Sequence, residues 1–205
     1  MDKMSAFFRE VLSWIGYLAI WLIVLFGVYR WIAQPFSVDG SSMEHTLEDS
    51  QRVWMWKLSD PDRFDVVIFP QPDAHAEEKA KLYVKRVIGM PGDTIAYKDD
   101  QLIINGAVMK EPYLEEKAKE YKHVSEDFFT SDFDLEMITG QTKVPEGKLF
   151  VMGDNRRNSV DGRSFGFIEA ESVLGEADFI YWPLSDFGLI PQYQLNEEQT
   201  AIITK

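Results

Sequence analysis

From Val11 to Tyr29 the chain runs for 19 residues without a charged side chain: VLSWIGYLAIWLIVLFGVY. At about 1.5 Å rise per residue, a helix of that length is roughly 28 Å long, close to the hydrocarbon thickness of a bilayer. Trp14, Tyr17, Tyr29 and Trp31 lie towards its ends, where aromatic belts sit. A buried helix of a soluble core usually keeps a polar face, and this run has none. A cleaved secretory signal has a shorter apolar region followed by an Ala-x-Ala pattern. Here the run gives way to Tyr29-Arg30-Trp31-Ile32-Ala33-Gln34-Pro35. The expectation is an uncleaved membrane anchor over residues 11–33, after a short terminus at 1–10. Lys3 and Arg9 before the span and Arg30 after it leave the orientation open on charge. No second apolar run of spanning length follows, so residues 34–205 are expected on one side of the bilayer.

The rest of the chain is polar and acidic. With 21 Lys+Arg against 34 Asp+Glu the net charge is −13, which argues against a nucleic-acid partner, since such binding needs clustered cations. There is no cysteine, which excludes a disulfide framework, a thiolate metal site and a cysteine nucleophile. A hydrophobic content of 45% is enough for a core, which argues against a wholly disordered chain.

Residues 34–205 read as mostly β. Arg52–Lys57 (RVWMWK), Asp65–Phe69 (DVVIF) and Lys81–Ile88 (KLYVKRVI) are extended and apolar or alternating. In the last of these, Tyr83, Lys85 and Val87 are expected on one face and Val84, Arg86 and Ile88 on the other. Thr94–Tyr97, a turn at Lys98–Gln101, Leu102–Ile104, an Asn105-Gly106 turn and Ala107–Met109 form a predicted meander. Leu149–Met152 and Phe179–Trp182 are further strands. Residues 111–143 hold nine acids and four bases. They read as an acidic surface excursion with a short helix near Leu114–Tyr121, and no chemistry is assigned to them.

Few side chains offer chemistry. Three scattered histidines (His45, His75, His123) and no cysteine argue against a transition-metal site. His45 stands three residues from Ser42, too close in an extended loop to present its ring naturally to that hydroxyl. His75 and His123 sit in charged, exposed-looking segments, so a Ser-His-Asp triad is disfavoured. A serine activated by a lysine is the open alternative, provided burial keeps the amine neutral. Lys85, between apolar neighbours, suits that setting, although a strand lysine is normally solvent-facing. Ser41 and Ser42, in Asp39-Gly40-Ser41-Ser42, read equally as turn residues.

Three blocks occur in order behind the span: Val38–Leu47 (VDGSSMEHTL), Tyr83–Asp93 (YVKRVIGMPGD) and Met152–Ile168 (MGDNRRNSVDGRSFGFI). Together they resemble the bacterial type I signal peptidases, in the single-span form of Gram-positive bacteria. Arg63–Phe69 (RFDVVIF) and Glu111–Leu114 (EPYL) look like features of that family too. The resemblance covers roughly residues 11 to 183. It implies a domain of coiled antiparallel β-sheets of the signal-peptidase/LexA-like kind behind one transmembrane helix. It also implies a cytoplasmic N-terminus, an extracytoplasmic domain, and removal of signal peptides from secretory preproteins after small-x-small motifs such as Ala-x-Ala. No metal or cofactor is implied.

Residue by residue, the resemblance makes Ser42 the nucleophile and its backbone N–H the oxyanion donor. Lys85 becomes the neutral general base. Ser159 is expected to bond and orient the lysine amine. Asp161 and Arg163 are expected to shape the site as an ion pair, and Asp154 and Arg156 to hold the last block in register. Phe36, Val38 and Met43 are candidates for the surface that receives small substrate side chains in extended pairing. Four positions depart from the family pattern. His45 replaces a usual Pro, so the loop after the nucleophile loses a fixed φ. Gly40 offers the oxyanion hole an N–H without a hydroxyl. Arg157 replaces a frequent Asp, and Gly162 a frequent Ser. Two other readings stand beside the peptidase: a non-catalytic scaffold member of the same fold, and a LexA-type self-cleaving Ser/Lys protein, for which the anchor leaves no N-terminal domain.

Overall fold

The computed structural model describes residues 2–72 and 81–205, with side chains from Phe7 onward. His75 lies outside the described residues. The chain divides into two compact units, Met1–Gln34 and Pro35–Lys205. The first is helix α1 (Asp2–Gly27), continued by a π-helical turn at Val28–Ile32. Phe7–Ile32 is long and apolar enough to cross a membrane, and its side chains are unburied. The helix begins earlier than the uncharged run because Met4, Ala6, Arg9 and Glu10 tolerate helical backbone well.

Strands dominate the second unit. In chain order they are β1 (Ala33–Ser37), β2 (Arg52–Trp56), β3 (Val66–Pro70), β4 (Leu82–Gly89), β5 (Ile95–Lys98), β6 (Gln101–Ile104), β7 (Ala107–Met109), β8 (Phe133–Asp134), β9 (Lys148–Met152), β10 (Ile168–Glu169), β11 (Gly175–Trp182), β12 (Gly188–Leu189), β13 (Tyr193–Leu195) and β14 (Ile202–Thr204). The large sheet runs β1-β2-β11-β3-β4-β9-β10, with β12 added to β11. A small sheet runs β7-β6-β5-β8, and β13 pairs β14 as a hairpin. Every pairing whose register is resolved is antiparallel. The β5–β6–β7 meander follows the sequence expectation. Its two-residue turns put Asp99, Asp100, Asn105 and Gly106 at positive φ, the geometry that matches strand twist in tight hairpins.

Strand β4 is covered on both faces: every residue from Val84 to Gly89 is buried. Val84 joins the core of Val38, Met43, Leu47, Val53 and Ile68 on one face. Val87 joins that of Val67, Phe69 and Val151 on the other, so Lys85 and Arg86 are carried inward with their neighbours. The excursion at 111–143 is only partly a surface. Phe129, Phe133 and Leu135 are buried, and β8 within it extends the small sheet by pairing with β5. Charge count hid these anchors because they are single aromatic and aliphatic residues between acids. Helix α2 (Glu115–Val124) forms near the predicted place. Two shorter helices follow, α3 (Leu135–Thr139) and α4 (Gly162–Phe165), N-capped by the carboxylates of Asp134 and Asp161.

Candidate active site

Three segments meet at one cleft. Ser42 lies in the loop between β1 and β2. Lys85 is central in β4, opposite Val67 of β3. Ser159 belongs to the loop after β9. Lys85 Nζ stands 2.7 Å from Ser42 Oγ and donates to the Val84 carbonyl at 2.9 Å. The residue is only 3% exposed. Burial pushes its amine down from 10.5 to about 8, against the opposing pull of Asp161 and Asp154. A serine hydroxyl against a partly neutral amine is the geometry of a nucleophile beside its base.

The nucleophile loop is fixed from behind. Asn155 donates its backbone N–H to the Ser42 carbonyl at 3.0 Å and its Nδ2 to the Ser41 carbonyl at 2.9 Å. Met43 and Leu47 sink into the core, and Thr46 Oγ1 donates to Asp154 at 2.5 Å. Gly153 permits the closest approach. A Cβ there would meet Ser159 Oγ at 2.2 Å and the Ser42 carbonyl at 2.5 Å, so any side chain would push the nucleophile strand away. The backbone N–H of Ser42 donates to no backbone acceptor among the described residues, whereas that of Gly40 donates to Asp49 Oδ1 at 2.6 Å.

Ser159 reaches the site but does not bond the amine. Its buried Oγ stands beside Asp161 and against Gly153, without a hydrogen bond of acceptable geometry. The amine is oriented instead by Ser42 and the Val84 carbonyl. Asp161 and Arg163 form a bidentate pair, Nε–Oδ1 2.9 Å and Nη2–Oδ2 2.8 Å. Burial alone would raise the Asp161 carboxyl, but Arg163 and the Gly153 N–H hold it below the usual carboxylate range. Asp154 and Arg156 turn away from each other. Asp154 grips Arg86 (Nη2–Oδ2 2.6 Å), and Arg156 grips Glu111 (Nη2–Oε1 2.5 Å) and the Tyr97 hydroxyl. Phe36, Val38 and Met43 line the cleft, about 330 Å3 in volume, together with Leu82, Tyr83 and Val84. Val38 and Met43 form its floor, being 5% and 1% exposed.

Arg86, Asn155 and Glu111 carry much of this framework, and sequence reasoning assigned none of them a part. Arg86 is fully buried beneath the Tyr113 ring, its Nη1 bonded to the Phe64 carbonyl. The available signal was its place beside Lys85 in a strand whose other residues are apolar. His45 and Arg157 have partners: Glu120 for the first, the Tyr121 ring for the second. Among the described residues no three His, Asp or Glu side chains converge as ligands for one metal ion.

Comparison with known proteins gives a consistent result. Residues 11–182 match the family described as signal peptidase, peptidase S26. The chain is similar to signal peptidase IB of Staphylococcus aureus (strain MRSA252), 36% identical over 200 residues, covering 94% of this chain and 98% of the relative. It is 41% identical over 179 residues to signal peptidase I of Bacillus caldolyticus, covering 85% and 92%. Among solved structures, signal peptidase I of Enterococcus faecalis V583 superposes with a TM-score of 0.51 at 43% identity, covering 58% of this chain and 97% of that one.

Proposed function

The chain belongs to the signal peptidase family, peptidase S26, and from that membership we propose that Ser42 and Lys85 form its catalytic dyad. It is a serine endopeptidase that removes signal peptides from secretory preproteins. The observation that carries the dyad is the 2.7 Å approach of a buried, partly neutral lysine amine to a serine hydroxyl at the mouth of an apolar cleft.

The chemistry is acyl transfer. The neutral Lys85 amine takes the Ser42 proton as Oγ attacks the scissile carbonyl. The Ser42 N–H donates to the oxygen on which charge develops. The Lys85 ammonium then protonates the leaving amine, and water, deprotonated by the same lysine, hydrolyses the acyl-enzyme. Asp161, Arg163, Asp154 and Arg156 hold the surrounding loops. Ser159 keeps a buried hydroxyl beside Asp161 and Gly153. Substrate lies extended, with alternate small side chains against Val38, Met43 and Phe36, which accounts for a small-x-small preference. Residues 11–33 anchor the enzyme in the bilayer, and residues 34–205 work on the extracytoplasmic face, where signal peptides end. A net charge of −13 argues against nucleic acid as a partner.

The test uses full-length protein in detergent and a preprotein carrying Ala-x-Ala. The parent cleaves at that site. Ser42→Ala and Lys85→Ala lose more than about 10³-fold in kcat, the scale seen when a member of a catalytic unit is removed. A folded parent that never cleaves, under conditions where a relative does, would return the weight to the scaffold reading. Cleavage that survives Ser42→Ala would sink the dyad.

A further inference from the structure

The nucleophile loop is held on two sides, and only one of them is the motif framework. Behind Ser42, Asn155 bonds the loop backbone. In front, two consecutive loop residues reach helix α2. Lys117 Nζ donates to Glu44 Oε2 at 3.2 Å, and His45 Nε2 lies 3.0 Å from Glu120 Oε2. Lys117 and Glu120 are three residues apart, so they project from one face of the helix. Glu44 Oε2 also accepts from Asn155 Nδ2 at 3.1 Å. A continuous chain of bonds therefore runs from Lys117 through Glu44 and Asn155 to the Ser41 carbonyl, one residue from the nucleophile.

We propose that Lys117 and Glu120 of α2 are positioning residues, gripping Glu44 and His45 so that Ser42 stays aligned with Lys85. The proposal rests on the dyad assigned above. Its physical basis is charge balance. Glu44, Glu48 and Glu120 converge on this rim, with Glu48 Oε1 3.8 Å from His45 Nδ1. Lys117 lies between two of these carboxylates, 3.2 Å from Glu44 and 3.9 Å from Glu120. Its side chain is 19% exposed and that of Glu44 27%, so water screens the pair less than it screens a surface pair. Without the ammonium, Glu44 and Glu120 repel and the loop moves off the helix. A misplacement of about 1 Å at a nucleophile costs on the order of 10²-fold in rate, so a small grip has a large kinetic lever. None of the α2 residues lines the cleft, so the effect falls on turnover rather than on substrate binding.

The experiment compares parent, Lys117→Met, Lys117→Arg, Glu44→Gln and Lys117→Met/Glu44→Gln as full-length proteins on the Ala-x-Ala preprotein. Acylation of Ser42 by an irreversible active-site reagent is followed in parallel. Expected are a fall in kcat of about ten- to a hundredfold for Lys117→Met, a KM within about twofold of the parent, and an equal fall in acylation rate. Lys117→Arg restores most of the activity. The double variant recovers part of the Lys117→Met loss, because neutralising Glu44 removes its repulsion with Glu120. Unchanged kcat in folded Lys117→Met overturns the proposal. So does a loss that Arg fails to rescue, or one carried wholly by KM. Should Lys117→Met not fold, Lys117→Gln, which also removes the ammonium, decides by the same criteria. A wrong dyad shows separately, as cleavage retained in Ser42→Ala whatever the Lys117 series does.

Discussion

An amine beside a hydroxyl is a base only in the fraction of molecules where it has no proton. With Lys85 at about 8, about a tenth is neutral at pH 7, against well under ~0.1% for an ordinary lysine. The kcat/KM of the parent should therefore rise about tenfold per pH unit below 8 and level off above it. A profile flat from pH 6 to 9 would place the rate-limiting step elsewhere. The same shift bears on stability. The folded amine has the lower pKa, so between about 8 and 10.5 the unfolded chain binds more protons, and stability rises with pH across that window. Below pH 8 the full cost applies, about 3 kcal/mol for two and a half units. Lys85→Met, similar in length and uncharged, should raise Tm at pH 7, with the gain fading towards pH 10.5. A lower Tm at pH 7 would mean that the hydrogen bonds to Ser42 and Val84 outweigh desolvation. Lys85 was legible as a candidate because Tyr83, Val84 and Val87 surround it in the chain. Its burial followed from the family likeness and not from the alternation, which by itself gives a strand one wet face.

Between elements, buried ion pairs replace what short strands cannot supply. Arg86 of β4 and Asp154 after β9 are 0% and 1% exposed at their side chains. Asp154→Asn leaves the guanidinium buried without a counter-charge and should cost about 3–5 kcal/mol, measured by denaturant titration. A loss below about 1 kcal/mol would mean that the Phe64 carbonyl and the Tyr113 ring suffice. Glu111 with Arg156 and Tyr97 does the same for the excursion, tying its start to the last sequence block. Nine acids between 111 and 143 suggested a solvated stretch, but composition is blind to which acid finds a buried arginine and which apolar residues anchor the segment. Asp154 and Arg156 illustrate the limit: neighbours in the motif, they bond partners 68 and 45 residues away.

At the scale of the molecule the two compact units separate at Gln34 and Pro35. A chain beginning at Ala33 should retain the three core clusters, none of which draws on α1. It should appear in the soluble fraction of cells that hold the full-length protein in membranes, and its far-ultraviolet spectrum should be that of a β protein. Aggregation or loss of that spectrum would show that the helix contributes to the fold beyond anchoring.

Local chemistry determined the apolar helix, the β meander with its Asn105-Gly106 turn, and the three blocks that carry the family likeness, because periodicity, turn residues and motif spacing are all properties of neighbouring residues. Tertiary structure alone decided the rest: that β4 is covered on both faces, that the Gly40 N–H is spent on Asp49, that Ser159 Oγ stands beside Asp161 without bonding the amine, and that α2 grips the nucleophile loop. Each depends on contacts between residues that are not chain neighbours, where packing and desolvation, which no local pattern records, set both geometry and charge.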